Sequence, residues 1–214
     1  VVTTRQLTDL GADRAWVARQ VRSGMWQRLH QGVLVTHSGP IGWRSRAWGA
    51  LLYAGPGAAL SHTSAAYLHE FTTTPGRPIE VSIADTRRVA PSNGVMVHVR
   101  AVMPPTSGRP RKTWPADTAV DLVSTADNDD DAIGWLCDAV RAGCSVLAIR
   151  EALARRTPPR NVALLRELLA DVGHGIESPL ERRYHRDVER RHGLPAARLQ
   201  VRQVVDGQWI RADG

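Results

Sequence analysis

The sequence predicts an α+β fold, and three observations support that class. Segments with the apolar periodicity of amphipathic helices recur along the chain. Two runs, PIEVSIA at residues 78–84 and GVMVHVRAV at residues 94–102, alternate like half-buried strands. The 214 residues are 43% hydrophobic, which is enough for one substantial core or two modest ones. We therefore expect a mixed α/β middle domain at residues 41–172, between two smaller terminal parts.

The beginning of the chain carries the capping signals of two short helices. Thr3 and Gln6 have the spacing of a capping box, and Gly11 can adopt the left-handed geometry that ends a helix. Asp13 caps a second helix, which Gly24 ends. These residues predict a helix-turn-helix at the start of the chain.

The second of these helices has an apolar face and a basic face. Its apolar residues are Trp16, Val17 and Val21. At about 100° per residue, the opposite arc carries Arg14, Arg19 and Arg22. We expect the apolar residues to share one small core with Val33, so a solvent-exposed Trp16 would contradict this interpretation. A helix with one face for a core and an arginine-bearing face beyond it is what docking in the DNA major groove requires.

A β-ribbon follows this helix directly. The run WQRLH at residues 26–30 leads through a Gln-Gly turn into VLV at residues 33–35. Arg28 and His30 lie near the expected tip of the hairpin. The alternative is a small helical cap with surface arginines, and the immediate hairpin favours a winged helix-turn-helix at residues 1–37. The expected DNA-contacting residues are Arg14, Arg19, Arg22, Arg28 and His30.

The charge of the chain favours a polyanionic partner. The formal net charge is +7, and Lys112 is the only lysine, so nearly all the positive charge is guanidinium. Arginine suits bidentate contacts with phosphate and guanine, which points to double-stranded DNA. A GC-rich genome, which favours arginine codons, is the other explanation for this composition.

Composition also bears on location. The longest apolar runs are too short to cross a bilayer, and no secretory signal is visible, so we expect no membrane partner. Cys137 and Cys144 lack metal-type spacing and are expected to be reduced core thiols, consistent with the cytoplasm. Because the first predicted helix starts almost at Val1, we expect a further helix of the winged-helix fold upstream.

Two segments carry a resemblance to a known family. The run from VVTTRQL to RLHQGVLV resembles the N-terminal domain of AbiEi-family antitoxins of type IV toxin–antitoxin systems, and more closely actinobacterial relatives with a nuclease-like tail. The segment ALSHTSAAYLHEF at residues 59–71 is similar to the SHxSAAxLxGL-like segment of those proteins, and Asp121 matches an acidic position of theirs. The resemblance implies a winged-helix DNA-binding module, repression of its own operon and antagonism of a nucleotidyltransferase toxin.

The middle domain is expected to contain one histidine pair of interest. Residues 58–71 read as a single helix, in which His62 and His69 are seven positions apart and could share one face with Ser61 nearby. A metal site is conceivable, but no third ligand of the right type lies nearby in the sequence. We therefore favour helix packing or capping for these residues. Further helices are expected at residues 41–54, 117–125, 132–142, 146–156 and 161–172.

The C-terminal part, residues 176–214, is expected to form a charged helix and a β-hairpin. The order of these expected elements resembles the start of the very-short-patch-repair-like (DUF559-type) endonuclease fold of the PD-(D/E)xK class. That class carries a "SPLE"-type motif, which residues 178–181 match here. The resemblance implies that Glu181 is the helix glutamate and that Asp213 binds Mg²⁺. The second acid and the lysine of that class would lie beyond Gly214, so the site is incomplete here. Alternatively, Glu177 and Glu181 simply complement a helix N-terminus.

Three functions follow from these observations. The first is a DNA-binding transcriptional regulator that resembles an AbiEi antitoxin. The second is a Mg²⁺-dependent endonuclease, whose metal and activity would belong to a longer parent protein, since we expect no cofactor and no DNA cleavage in these 214 residues. The third is a protein-interaction module whose basic faces bind acidic protein.

Overall fold

A computed structural model gives the fold and describes residues 1–156, 162–173, 184–194, 201–205 and 208–212. Helices and strands are mixed along the chain, so the predicted α+β class is confirmed. The chain divides into two compact units, Val1–Thr118 and Ala119–Gly214. These units do not follow the domain ranges expected from the sequence, 1–37, 41–172 and 176–214, and those ranges stay a prediction.

The first unit begins with two short helices and a small antiparallel sheet. The elements are β1 (Val2–Thr3), α1 (Thr4–Asp9), α2 (Arg14–Arg22), β2 (Gln27–His30) and β3 (Val33–Val35). The strands lie in the order β1-β3-β2. Both predicted caps form: Thr3 Oγ1 accepts from the Gln6 amide at 3.1 Å, and the Asp13 carboxylate accepts from the Trp16 amide at 3.0 Å. Each cap satisfies a backbone donor that the helix itself cannot pair.

The small core beside α2 differs from the prediction at Trp16. Val33 is buried and both Val17 and Val21 are half-buried, but Trp16 is 39% exposed. The prediction that Trp16 shares this core is wrong. Trp16 lies about 100° around the helix from Val17, between Val17 and the arginine arc. Its ring contacts Trp26 edge-on, with the ring centroids 5.2 Å apart.

The rest of the first unit is a five-stranded sheet with two helices packed against it. Its elements are α3 (Trp43–Ala54), β4 (Ala59–Leu60), α4 (His62–Leu68), β5 (Ile79–Ala84), β6 (Val95–Arg100), β7 (Thr106–Ser107) and β8 (Lys112–Thr113). The strand order is β6-β5-β4-β8-β7, with β5 parallel to β6 and β4 parallel to β8. The main core lies between α3 and this sheet. It includes Ala47, Ala50, Ala54, Leu60, Val81 and Ile83.

The segment at residues 58–71 differs from the single helix expected there. Ala59 and Leu60 form β4, and α4 begins only at His62. Leu60 pairs with Val81 on one side and with Lys112 on the other, so it lies inside the sheet. The pairing partners of Leu60 lie about 20 and 50 residues away in the sequence. Because the local apolar run is short, its periodicity does not distinguish a strand from a helix here.

The second unit is mainly helical where it is described. Helix α5 (Pro115–Thr125) spans the boundary between the units and leads into the remaining elements. These are α6 (Asp129–Arg141), α7 (Val146–Ala154), α8 (Val162–Gly173), a π-helical segment at His185–Arg190, β9 (Val201–Val205) and β10 (Gln208–Ala212). Helices α6 and α7 both pack against α8 around a core that includes Ile133, Leu136, Ile149, Leu165 and Leu168. Leu147 of α7 lies outside this core and is 66% exposed.

The end of the chain contains an antiparallel strand pair. Strands β9 and β10 pair from Val205 and Gln208 outwards to Val201 and Ala212. Glu181 and Asp213, the two residues of the nuclease-like interpretation, lie outside the described residues. Across the part of the chain that the structure covers, no helix is both long enough and apolar enough to cross a lipid bilayer.

Candidate functional site

Helix α2 presents its arginines to solvent. Arg14, Arg19 and Arg22 are all exposed, and none of the nine residues of the helix is fully buried. At 100° per residue they span an arc of about 140°, and the apolar Val17 and Val21 adjoin the Arg14 end of this arc, with Val21 only about 20° from Arg14. The helix contains no acidic residue, so no carboxylate of its own competes for these guanidinium groups. The predicted basic face is therefore present and accessible.

Arg28 joins this face from the neighbouring strand. Arg14 and Arg28 line one groove of about 540 Å³, together with Arg5 of α1. The groove floor is apolar and includes Val17, Val21 and Leu34. Arg28 also lines a second cavity, of about 610 Å³, to which Arg46 and Arg77 contribute. Arg28 thus lies between two concave surfaces, each lined by three arginines.

His30 lies away from the exposed position expected for it. Its side chain is 7% exposed, Nδ1 is 2.9 Å from Ser92 Oγ, and the ring packs against Tyr53. Burial lowers the pKa of His30, and the positive charge of Arg46 lowers it further. The imidazole is therefore neutral at pH 7, and this position does not favour a contact with phosphate.

A second group of polar residues, not anticipated in the sequence, lies on one face of the five-stranded sheet. Because side chains alternate along a strand, Glu80 and Ser82 of β5 point to the same face, as do His98 and Arg100 of β6. The parallel register pairs Ser82 with His98, which brings the two polar rows together. Helix α4 begins at this face with His62, which is 3% exposed.

Three of these side chains form a cluster, composed of His62, Glu80 and His98. One potential ligand atom from each lies within 4.8 Å of the other two. His98 Nε2 is 3.1 Å from Glu80 Oε1, and the His62 and His98 rings stack with centroids 3.7 Å apart. Hereafter this group is called the histidine–glutamate cluster.

Neighbouring groups hold the histidine–glutamate cluster in place. The Thr63 amide donates to Glu80 Oε2 at 2.9 Å, and the Thr63 hydroxyl donates to the same oxygen. His62 Nδ1 is 3.1 Å from Ser61 Oγ. Burial acts to raise the pKa of Glu80, but the hydrogen bonds from His98 and Thr63 and the nearby His62 outweigh it, so the pKa is lowered. Glu80 is therefore a carboxylate at neutral pH.

His69 does not belong to this cluster. Its Nε2 donates to the carbonyl oxygen of Thr113 at 2.8 Å. The structure therefore separates His62 from His69 and assigns His62 two partners that are distant in the sequence, Glu80 and His98. The sequence signal for Glu80 and His98 is that each occupies a polar position in a predicted alternating strand. Alternation alone does not show that the two strands pair in parallel, and the shared face of Glu80 and His98 depends on that pairing.

No family model matches this sequence, and no curated protein is significantly similar to it.

Proposed function

We propose that this protein is a DNA-binding transcriptional regulator of the AbiEi-antitoxin kind, which binds double-stranded DNA through a winged helix-turn-helix at residues 1–37. The observation that carries the proposal is the element order β1-α1-α2-β2-β3, in which a capped helix with an exposed arginine arc leads directly into an antiparallel hairpin. A recognition helix followed by a hairpin is the arrangement that such modules use on DNA.

The dimensions and charges of α2 suit the major groove. An α-helix with its side chains is about 10–12 Å in diameter, which fits a major groove that is about 12 Å wide. Arg14, Arg19 and Arg22 then face base edges and phosphates, and Arg28 extends the basic surface beyond the helix. Guanidinium groups make bidentate contacts with guanine, so this face can supply sequence preference as well as charge.

One finding narrows the set of expected DNA contacts, and a second bears on the core beneath α2. His30 is left out because it is buried and neutral at pH 7. The exposure of Trp16 counts against a winged helix with a full core under α2, since only Val17 and Val21 face inward there. The Asp13 cap and the bond from the Trp26 amide to the Gln20 carbonyl oxygen at 3.0 Å support the helix instead. The proposed contacts are Arg14, Arg19, Arg22 and Arg28.

The remaining parts of the proposal rest on the resemblance. The segment at residues 59–71 supports membership among AbiEi-like regulators, which implies repression of its own operon, antagonism of a nucleotidyltransferase toxin and a cytoplasmic location. The endonuclease alternative gains no support, because Glu181 and Asp213 lie outside the described residues.

The test is the salt dependence of DNA affinity, measured by fluorescence anisotropy. A duplex selected from a random library serves as the specific site, and an unrelated duplex serves as the non-specific one. For Arg19→Ala and Arg22→Ala, we expect the salt slope to fall by about one unit for each phosphate that the arginine neutralises. An arginine that hydrogen-bonds a base instead costs about 1–3 kcal/mol when it is replaced, on the selected duplex only.

The matched control is Arg150→Ala, which removes an exposed arginine from α7. It corrects for the change in net charge without touching α2. If Arg19→Ala and Arg22→Ala both bind like the control at every salt concentration, α2 does not contact DNA and the proposal is wrong.

A further inference from the structure

We propose that the histidine–glutamate cluster, His62, Glu80 and His98, is a binding site for a divalent first-row transition-metal ion, with Zn²⁺ as the best fit. The site does not depend on the proposed DNA binding, and the two proposals are tested by separate measurements.

The donor set determines the class of metal. Two imidazole nitrogens and one carboxylate oxygen are ligands that Zn²⁺ accepts readily, and three protein ligands leave a coordination position for water or another small ligand. The same set suits Fe²⁺ in sites with open positions. Mg²⁺ and Ca²⁺ prefer oxygen ligands only, so two histidines out of three ligands disfavour them.

The spacing of the three donors is close to what one ion needs. Ligand atoms about 2.0–2.1 Å from a tetrahedral ion lie about 3.3 Å apart. His98 Nε2 and Glu80 Oε1 are 3.1 Å apart, and all three donor atoms lie within 4.8 Å of one another. The lone pair of an imidazole nitrogen lies in the plane of its ring, and the His62 and His98 rings are stacked within 20° of parallel. The main adjustment that an ion requires is therefore a rotation of one ring about its side-chain torsions, so that both nitrogens point at the ion.

The supporting hydrogen bonds select the ligating atoms. Thr63 donates twice to Glu80 Oε2, which directs Oε1 towards the histidines. Ser61 Oγ lies beside Nδ1 of His62, which leaves Nε2 as the ligating nitrogen. Metal-binding residues are commonly oriented in this way by a second hydrogen bond on the atom that does not ligate.

The backbone also fixes the cluster. The Glu80 amide donates to Ser64 Oγ at 2.9 Å, and the Ser61 amide donates to the Glu80 carbonyl oxygen at 3.0 Å. These bonds join β5 to the start of α4, so Glu80 and His62 are placed by rigid elements. His62 has a φ of +47°, a left-handed conformation that is uncommon outside glycine, and such strained positions concentrate at ligand sites.

Arg100 offers an explanation of the cluster that needs no metal ion. Replacement of Arg100 tests that explanation. Its Nη2 is 3.4 Å from His62 Nε2, and its Nε is 3.3 Å from Ser82 Oγ. Arg100 therefore lies against the nitrogen of His62 that would ligate the ion. An ion and this guanidinium compete for the same lone pair and repel each other, so removal of Arg100 strengthens metal binding if the site is real.

The experiment measures Zn²⁺ binding to the 214-residue chain after chelator treatment and dialysis. Titration calorimetry gives stoichiometry and affinity, and the visible spectrum of the Co²⁺ form reports the ligand set. We expect one ion per chain. Glu80→Gln and His98→Gln are expected to weaken binding more than about 100-fold, and Thr63→Val by about 10–100-fold because a supporting hydrogen bond is removed.

Two further variants make the result decisive. His69→Gln removes a half-buried histidine of the same unit that lies outside the cluster, and it is expected to leave affinity unchanged. Arg100→Met is expected to bind Zn²⁺ more tightly than the unmodified chain. Circular dichroism of each metal-free variant shows whether it has folded, and only folded variants are compared.

Three results would overturn the proposal. The first is that the unmodified chain binds no ion. The second is that Glu80→Gln and His98→Gln both retain the ion, or that His69→Gln loses it as they do. The third is that Arg100→Met weakens binding as strongly as the ligand variants, because the network would then depend on Arg100 rather than on a metal.

Discussion

The arginine face of α2 and the histidine–glutamate cluster use charged groups in opposite ways. Helix α2 buries no residue completely, and its arginines lie in solvent. In the cluster, His62 is 3% exposed, and His62, Glu80 and His98 each have a polar group within hydrogen-bond distance. Charge on the first surface can be removed without leaving an unpaired neighbour. Charge in the cluster cannot be removed in this way. A substitution there is therefore expected to change both stability and ligand binding, whereas on α2 the two can be changed separately.

The largest difference between the two regions is expected when the Glu80 carboxylate is removed. Glu80→Ala leaves the Thr63 donors and His98 without their acceptor, and leaving buried polar groups unsatisfied costs about 1–3 kcal/mol of the free energy of unfolding. Arg19→Ala on α2 is expected to change it by less than about 0.5 kcal/mol. Urea unfolding of both variants, with a chelator present, measures the difference. Equal effects would show that the cluster is not a coupled network.

A smaller effect is expected from the cap of α2. Asp13→Ala removes the acceptor of the Trp16 amide and is expected to cost about 1 kcal/mol. Because no side chain of α2 is fully buried, the helix depends on this cap more than a core helix would, and DNA affinity should fall along with helix content. Asp9→Ala, at the last residue of α1, is the control and is expected to be neutral. Unchanged stability and affinity in Asp13→Ala would contradict this dependence.

A pH dependence of stability is expected from the half-buried His69, whereas α2 contains no histidine. Burial lowers the pKa of His69 most, the hydrogen bond to the Thr113 carbonyl opposes this change, and Lys112 lowers the pKa further. A histidine with a lowered folded pKa stabilises the fold fully above its unfolded pKa of about 6.5, and that stability is lost as the pH falls through this value towards the folded pKa.

We therefore expect the free energy of unfolding to decrease below about pH 6.5 and to decrease less in His69→Gln, which keeps a side-chain donor near Thr113 without titrating. His37→Gln, at an exposed position, is the control. Thermal unfolding between about pH 5 and pH 8 measures the slope. A slope that is identical in His69→Gln and in the unmodified chain would show that His69 is not responsible.

The features that the sequence predicts correctly are local. The capping box of Thr3 and Gln6 and the Asp13 cap each involve residues three positions apart, and the arginine arc follows from helical periodicity within nine residues. Their causes lie within one or two turns of chain. The same local patterns wrongly place Trp16 in a core, because periodicity gives the direction of a side chain but not whether another element covers it.

The histidine–glutamate cluster could not be predicted because its cause is not local. Glu80 and His98 are 18 residues apart, and they meet only because β5 and β6 run parallel in a specific register. His62 reaches them because Ala59 and Leu60 form a strand that positions the start of α4, whereas local periodicity indicates a helix at that point. No third ligand lies near His62 in the sequence, because the remaining ligands are on two strands that only the folded sheet brings together.

Strand β6 has a consequence for the behaviour of concentrated protein. Among the described residues, β6 lies at the end of the five-stranded sheet and has β5 as its one neighbouring strand. Two of its apolar side chains are exposed, Met96 by 46% and Val99 by 56%. An apolar edge strand with unpaired backbone groups is a template for strand addition by a second molecule. Self-association should therefore begin at β6, and the charge of Arg100 at its end is the feature of the strand that opposes it.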